Sequence, residues 1–343
     1  RKNLQPKIKQ LLKKLPKTLS KIFFVNSGSE ANDLAIRMAK KHSGNKSMMV
    51  LEHGYHGHTQ AGIDISDYKF SNLKGEGQKN HIIKAEIPNE YDSQKSIKTG
   101  LSSAEKAIKQ IKNSTDSIAA FIAEPIVGCG GQVPLAPGYL KTIYPEIRKQ
   151  GGVCISDEVQ TGFGRLGSWF WGFEMHEVVP DIVVLGKPMG NGHPIGAVVT
   201  TAEIAHSFEQ GVEFFSSFGG NPVSCAIGMA VLQTIEEEGL QENAEEVGAY
   251  YKSLLKSVQD QDARIGDVRG EGLFLGVEII SYDGAPNPKL AQEIKNQLRN
   301  KNILISTDGP FDSVLKTKPP LVFTKENVEE VVEAIHSVLL SKA

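Results

Sequence analysis

A chain of 343 residues that is 40% hydrophobic and 23% charged has enough apolar content for one large domain or two smaller ones. Its formal net charge of −2 argues against a general nucleic-acid or membrane binder, which needs a basic face, and no apolar run reaches the roughly 18–20 residues of a membrane span. Three widely spaced cysteines, Cys129, Cys154 and Cys225, argue against a disulfide framework, and the absence of an opening secretion signal fits a reducing, cytoplasmic setting.

The opening segment is locally basic, with Lys7, Lys9, Lys13, Lys14, Lys17 and Lys21 interleaved with Ile8, Leu11, Leu12 and Leu15. It reads as a surface helix with a solvated face, ended by Pro16, in preference to a membrane or nucleic-acid element. Beyond it, helical stretches at 30–42, 103–112 and 138–150 alternate with short apolar runs. The runs Met48–Leu51, Ile118–Ala123, Val153–Ser156, Ile182–Leu185 and Ala197–Thr200 all predict buried strands. That rhythm predicts an α/β layer fold with a mainly parallel central sheet flanked by helices. A long helical stretch over 222–259 follows, with Gly239 as a break point. The pattern then changes to a strand at 273–280, a helix at 288–300, a strand at 302–306 and a last helix at 326–341. We therefore expect a large domain over 1–240 and a smaller C-terminal α+β domain over 241–343.

Four stretches carry chemistry. Asn26-Ser27-Gly28-Ser29-Glu30-Ala31-Asn32 opens a helix after the apolar Ile22–Val25, and free N–H groups there, with a glycine allowing close approach, can seat a phosphate. A plain helix cap explains the same residues nearly as well. Asp157 ends a strand and is placed to face a ligand beyond the sheet's carboxyl edge. Glu158 beside it points the other way, so the two make a poor metal pair. Lys187 leaves a buried strand for a glycine-rich turn, where desolvation would lower its pKa and favour Schiff-base formation. Finally, Glu52-His53-Gly54-Tyr55-His56-Gly57-His58 holds three histidines whose spacing is not that of a zinc site, and no metal is expected. Tyr55 reads better as an aromatic platform for a flat ring. Phosphate seat, reactive lysine, carboxylate and platform together describe a pyridoxal 5'-phosphate site.

The stretches NSGSEAND at 26–33, YHGHT at 55–59, SDEVQTGFGR at 156–165, PDIVVLGKPMGNGHPIGAV at 180–198, FGGNP at 218–222 and RGEGLFLGVE at 269–278 resemble those of the class III (ω-amino) aminotransferases of fold type I. The resemblance spans nearly the whole chain. It implies that Lys187 carries the cofactor and shuttles the α-proton, and that Asp157 binds the pyridine nitrogen through a charge-assisted bond. It also implies that Val159 packs under the ring, Gln160 touches its phenolic oxygen, Tyr55 stacks above with His56 beside it, and Gly28 and Ser29 hold the phosphate. Ser217, where the family usually has threonine, would reach the phosphate of the neighbouring subunit, so a homodimer with shared sites is implied.

Departures from the family bear on the substrate. The N-terminal segment that normally precedes the first motif is not present in this sequence. Where the family commonly has arginine before Pro-Pro, this chain reads Leu315-Lys316-Thr317-Lys318-Pro319-Pro320, and Cys129 stands where several members have a glutamate. Arginine grips a carboxylate bidentately and lysine does not, so the substrate is not read by that switch. The segments ISTDGP at 305–310 and LKTKPP at 315–320, with Cys129-Gly130-Gly131-Gln132, resemble the branch of ethanolamine-phosphate and phosphohydroxylysine phospho-lyases. We therefore expect a small primary amine substrate, with release of phosphate and ammonia from an amino phosphate slightly favoured and Lys316 and Lys318 as substrate contacts, although surface lysines explain that pair equally well. The alternatives are an ω-amino-acid transaminase and, more remotely, a non-catalytic module. A nicotinamide dehydrogenase is set aside because G-x-G-x-x-G after the first strand is absent.

Overall fold

The computed structural model describes residues 10–90, 97–114 and 116–341. Along the first part of the chain come β1 (Leu19–Val25), α1 (Gly28–Ser43), β2 (Ser47–Leu51), α2 (Gln60–Asp64), α3 (Asp67–Phe70), β3 (Ile82–Ala85), α4 (Ile97–Asn113) and β4 (Ile118–Ala123). Next are β5 (Ile126–Val127), β6 (Val133–Pro134), α5 (Tyr139–Lys149), β7 (Val153–Asp157), β8 (Ile182–Leu185), β9 (Gly196–Thr201), α6 (Ala202–Glu209) and α7 (Pro222–Glu237). The chain finishes with α8 (Leu240–Gln259), β10 (Ile265–Glu271), β11 (Phe274–Ile279), α9 (Pro288–Asn300), β12 (Ser306–Asp308), β13 (Val314–Thr317) and α10 (Lys325–Leu340).

Among the described residues seven strands form one sheet in the order β1-β9-β8-β7-β4-β2-β3. It is mixed: β2–β3, β2–β4, β4–β7 and β7–β8 pair in parallel, whereas β9 runs antiparallel to both β8 and β1. β2, β4, β7 and β8 are buried along their whole length, as strands covered on both faces must be. Their near-continuous apolar runs made them legible. β3 carries a half-exposed lysine in four residues and escaped the sequence reading.

The strand directions place the ends of β1, β2, β4, β7 and β8 along one sheet edge. α1 starts there because Ser27 accepts the Glu30 N–H at 3.1 Å and caps it, and Gly44 at φ 73° ends it. Its inner face buries Ala31, Leu34, Ala35, Ile36, Met38 and Ala39 in the core, together with one polar residue, Asn32.

The chain divides into two compact units. One takes in the described residues of 1–125, 135–163 and 171–235; the other takes in those of 126–134, 164–170 and 236–343. Two short segments thus join the C-terminal unit from far upstream, where β5 pairs with β6 and Arg269 Nε donates to the Gly131 carbonyl at 2.8 Å. The C-terminal unit is built on an antiparallel sheet in the order β10-β11-β13-β12, whose apolar side packs on residues of α8, α9 and α10.

Gly239, at φ 59°, separates α7 from α8 where a break was expected. The strand expected at 302–306 is displaced to Ser306–Asp308. Residues 301–303 instead finish α9: Asn302 adopts φ 62° and the Ile303 N–H returns to the Leu298 carbonyl at 2.9 Å. For the basic opening segment, Lys7, Ile8 and Lys9 lie outside the described residues. Residues 10–13 are helical, and Leu11 and Leu15 are buried. Among the described residues no helix is long and apolar enough to cross a membrane.

Candidate active site

At that sheet edge lies a cavity of about 600 Å³. Its lining includes Gly28, Ser29, Tyr55, His56, Asp157, Val159, Gln160 and Lys187, eight residues singled out from sequence. Three parts of the fold contribute them: the start of α1, the loop after β2, and the ends of β7 and β8. Parallel pairing of β7 with β8 explains how Asp157 and Lys187, thirty positions apart, come to share one edge.

Asp157 is 3% exposed. Its Oδ2 accepts from Asn32 Nδ2 and from His56 Nδ1, both at 2.8 Å, and its Oδ1 accepts from the Val159 N–H at 3.2 Å. The carboxylate can only accept, so Nδ1 of His56 carries the hydrogen. Glu158 faces away from the cavity. It accepts from Ser156 and Thr161 hydroxyls and from the Gly172 and Phe173 N–H groups, at 2.7–3.0 Å.

Lys187 follows Gly186 with φ 26°, an uncommon backbone setting for a non-glycine residue. The expectation that the strand end desolvates this lysine is corrected: Lys187 is exposed. The apolar strand stops at Leu185, and the short helical turn Lys187–Met189 carries the side chain beyond the buried layer.

Close approach at the cavity depends on glycine. A Cβ on Gly28 would meet both Val159 methyls at 2.8 Å, and one on Gly186 would meet Gly28 Cα and N at 3.0 Å. No acceptor among the described residues pairs with the N–H of Gly28 or Ser29, the open donors of a helix start. Ser29 Oγ accepts the His58 N–H at 3.2 Å and lies 3.3 Å from His58 Nδ1. Tyr55 lines the cavity and meets the Tyr68 ring edge-on, with centroids 6.0 Å apart.

Several lining residues were missed from sequence. Glu124, at the end of β4, is buried and accepts from the Tyr55 N–H and from Gln160 Nε2, both at 3.2 Å. His193 Nε2 lies 2.8 Å from Ser224 Oγ. Asn32, a polar residue at an inward position of a helical pattern, was the one with a readable signal.

Other predicted residues lie elsewhere. Ser217 is exposed and does not line this cavity. Lys316 and Lys318 belong to the C-terminal unit, where they line a cavity of about 520 Å³. There Lys316 Nζ bonds Asp308 Oδ2 at 2.6 Å and Lys318 Nζ sits 5.1 Å from the Phe274 ring centroid. Among the described residues no group of three or more His, Cys, Asp or Glu converges as metal ligands do.

This donor set fits a phosphorylated aromatic aldehyde. Open helix-start N–H groups suit the phosphate, a buried carboxylate suits a ring nitrogen, and a primary amine shares the same cavity.

Comparisons with known proteins identify the family. Residues 1–339 match the class III aminotransferase family. The chain is 45% identical over 334 residues to an alanine–glyoxylate aminotransferase 2-like protein of Drosophila melanogaster, covering 93% of this chain and 67% of the relative. It is 38% identical over 350 residues to ethanolamine-phosphate phospho-lyase homolog 1 of Caenorhabditis elegans, covering 96% and 75%. A solved phospholyase from Arthrobacter in complex with phosphoethanolamine superposes with a TM-score of 0.93 at 37% identity, over 99% of this chain and 82% of that one. The chain is an enzyme of the class III aminotransferase family.

Proposed function

We propose that the chain binds pyridoxal 5'-phosphate in the α1–β7–β8 cavity and acts as a phospho-lyase on a small amino phosphate such as phosphoethanolamine. The carrying observation is the convergence of Lys187, Asp157 and the open N–H groups of Gly28 and Ser29 on one cavity. When bound, pyridoxal phosphate supplies an aldehyde that condenses with amines and a ring that draws electrons from the neighbouring carbon. Lys187 Nζ would hold the cofactor and would move the proton at the substrate carbon bearing nitrogen. Asp157 would hold the ring nitrogen, Val159 and Tyr55 would flank the ring, and Gln160 would reach its oxygen. His56 acts beside them, and Ser217 serves the phosphate of a neighbouring subunit in a homodimer.

The phospho-lyase branch is supported by likeness to the Arthrobacter phospholyase. Transamination to a 2-oxo acid is the second reading, favoured by 45% identity with the alanine–glyoxylate aminotransferase 2-like protein. Lys316 and Lys318 remain our candidates for substrate contacts. A reducing compartment, most simply the cytoplasm, suits the free thiols of Cys129, Cys154 and Cys225.

Two measurements test this. Protein reconstituted with the cofactor should show a visible absorption band that Lys187→Ala abolishes; a band that survives the substitution removes the lysine from its role. A panel of amines assayed in parallel for phosphate, ammonia and amino-acid product then decides the branch. Phosphate release in step with amine consumption is expected from phosphoethanolamine. Consumption of a keto acid with no phosphate released would overturn it.

A further inference from the structure

Two side chains from separate parts of the fold converge on one oxygen of Asp157. Asn32 Nδ2, from α1, and His56 Nδ1, from the loop after β2, both lie 2.8 Å from Oδ2. Among the described residues Oδ1 takes one donor, the Val159 N–H at 3.2 Å. A carboxylate oxygen accepts along about two lone-pair directions, so Oδ2 is filled and Oδ1 keeps one place open.

The two donors are buried at 2% and 1% exposure. Their far ends, Asn32 Oδ1 and His56 Nε2, find no partner among the described residues. An apolar pair at these positions would leave no such orphaned atoms, so packing alone does not account for them. The bonds to Asp157 do.

We infer that Asn32 is a positioning residue, working with His56 to turn Asp157 so that Oδ1 is the oxygen offered to the cofactor's ring nitrogen. This deepens the pyridoxal phosphate reading and rests on it. The same helix that presents Asn32 also presents the Gly28 and Ser29 N–H groups about one turn earlier, where residues rise about 1.5 Å each. α1 therefore holds the carboxylate and the phosphate seat at a set separation, as a ruler for the cofactor. A helix is stiff over one turn, so the spacing does not depend on loop positions.

The test compares the reconstituted, unsubstituted protein with Asn32→Leu, which keeps the branched heavy-atom skeleton and loses the donor, and with Asn32→Ala. Three quantities are read: the rate at which cofactor leaves, the position and pH profile of its visible band, and the melting temperature of the cofactor-free protein. Losing one hydrogen bond to a charged group should speed cofactor loss by roughly 10- to 100-fold and shift the band or its pH midpoint. The faster loss should exceed what any fall in the cofactor-free melting temperature accounts for. Wild-type off-rate and spectrum in Asn32→Leu overturn the inference, and so does cofactor loss that merely tracks a lowered melting temperature. Should Asn32→Leu fail to fold, Asn32→Ala decides by the same criteria. Failure of the unsubstituted protein to take up cofactor at all would instead overturn the underlying reading, and it would be seen before any variant is made.

Discussion

Glu158 ties the loop of residues 161–173 to the end of β7 through four donors. Burial raises its carboxyl above the ordinary value of 4.5, while Thr161, Gly172, Phe173 and Ser156 pull it back. Glu158→Ala would orphan two backbone N–H groups and two hydroxyls in the interior, at a cost of roughly 3 kcal/mol or more. Urea denaturation measures that loss, and an unchanged midpoint would show that the loop is held by other means.

His176 sits in the same region, with Nε2 3.0 Å from the Pro125 carbonyl. Burial lowers its pKa to about 4 from 6.5. The unfolded chain therefore binds this proton first as pH falls, so the contribution is intact above 6.5 and is lost between 6.5 and about 4. That span corresponds to up to roughly 3 kcal/mol. His176→Gln should flatten the stability profile across this window and leave the profile above pH 7 unaltered. A variant with the same acid slope as the parent would assign the slope to other groups.

Secondary-structure elements meet here with little room. In α8, a Cβ on Gly248 would lie 2.3–2.6 Å from the backbone of Gly272, in the turn between β10 and β11. Backbone cannot step aside as a flexible side-chain tip does. Gly248→Ala should therefore cost about 1–3 kcal/mol by overpacking, despite alanine's higher helix propensity. Calorimetry or urea titration checks the sign; a gain in stability would mean that the turn yields. At the start of α1 the same logic applies to Gly28 against Val159. The helix's first turn, Val159 and the β8 end are packed within contact, which keeps the open N–H groups near Asp157.

For the molecule as a whole, the surface supports the homodimer proposed above. Val212, Phe215, Phe218 and Val223 are 64–84% exposed within one short stretch that also contains Ser217. Exposed apolar side chains gathered in one stretch are the chemistry that a subunit contact uses. Sedimentation should give about twice the 37.3 kDa chain mass. Phe215→Ser combined with Phe218→Ser should shift the protein toward monomer, and a parent chain that is monomeric at micromolar concentration would refute the proposal.

The sequence by itself determined the strand–helix alternation, the family, and eight residues of the cavity lining. Buried parallel strands are written as continuous apolar runs, and the site residues sit at their ends beside glycines that the backbone needs. It did not reveal β3, β10 or β13, because partly exposed or charge-bearing strands lack that run: β10 carries Asp267, Arg269 and Glu271. Only the tertiary structure decided which neighbours each polar side chain meets. Asn32 and Asp157 are 125 positions apart, and their bond exists because α1 packs over the sheet. The exposure of Lys187 and the pairing of Lys316 with Asp308 belong to the same class. A residue's chemistry is local, whereas its partners are set by how the chain returns to the same place.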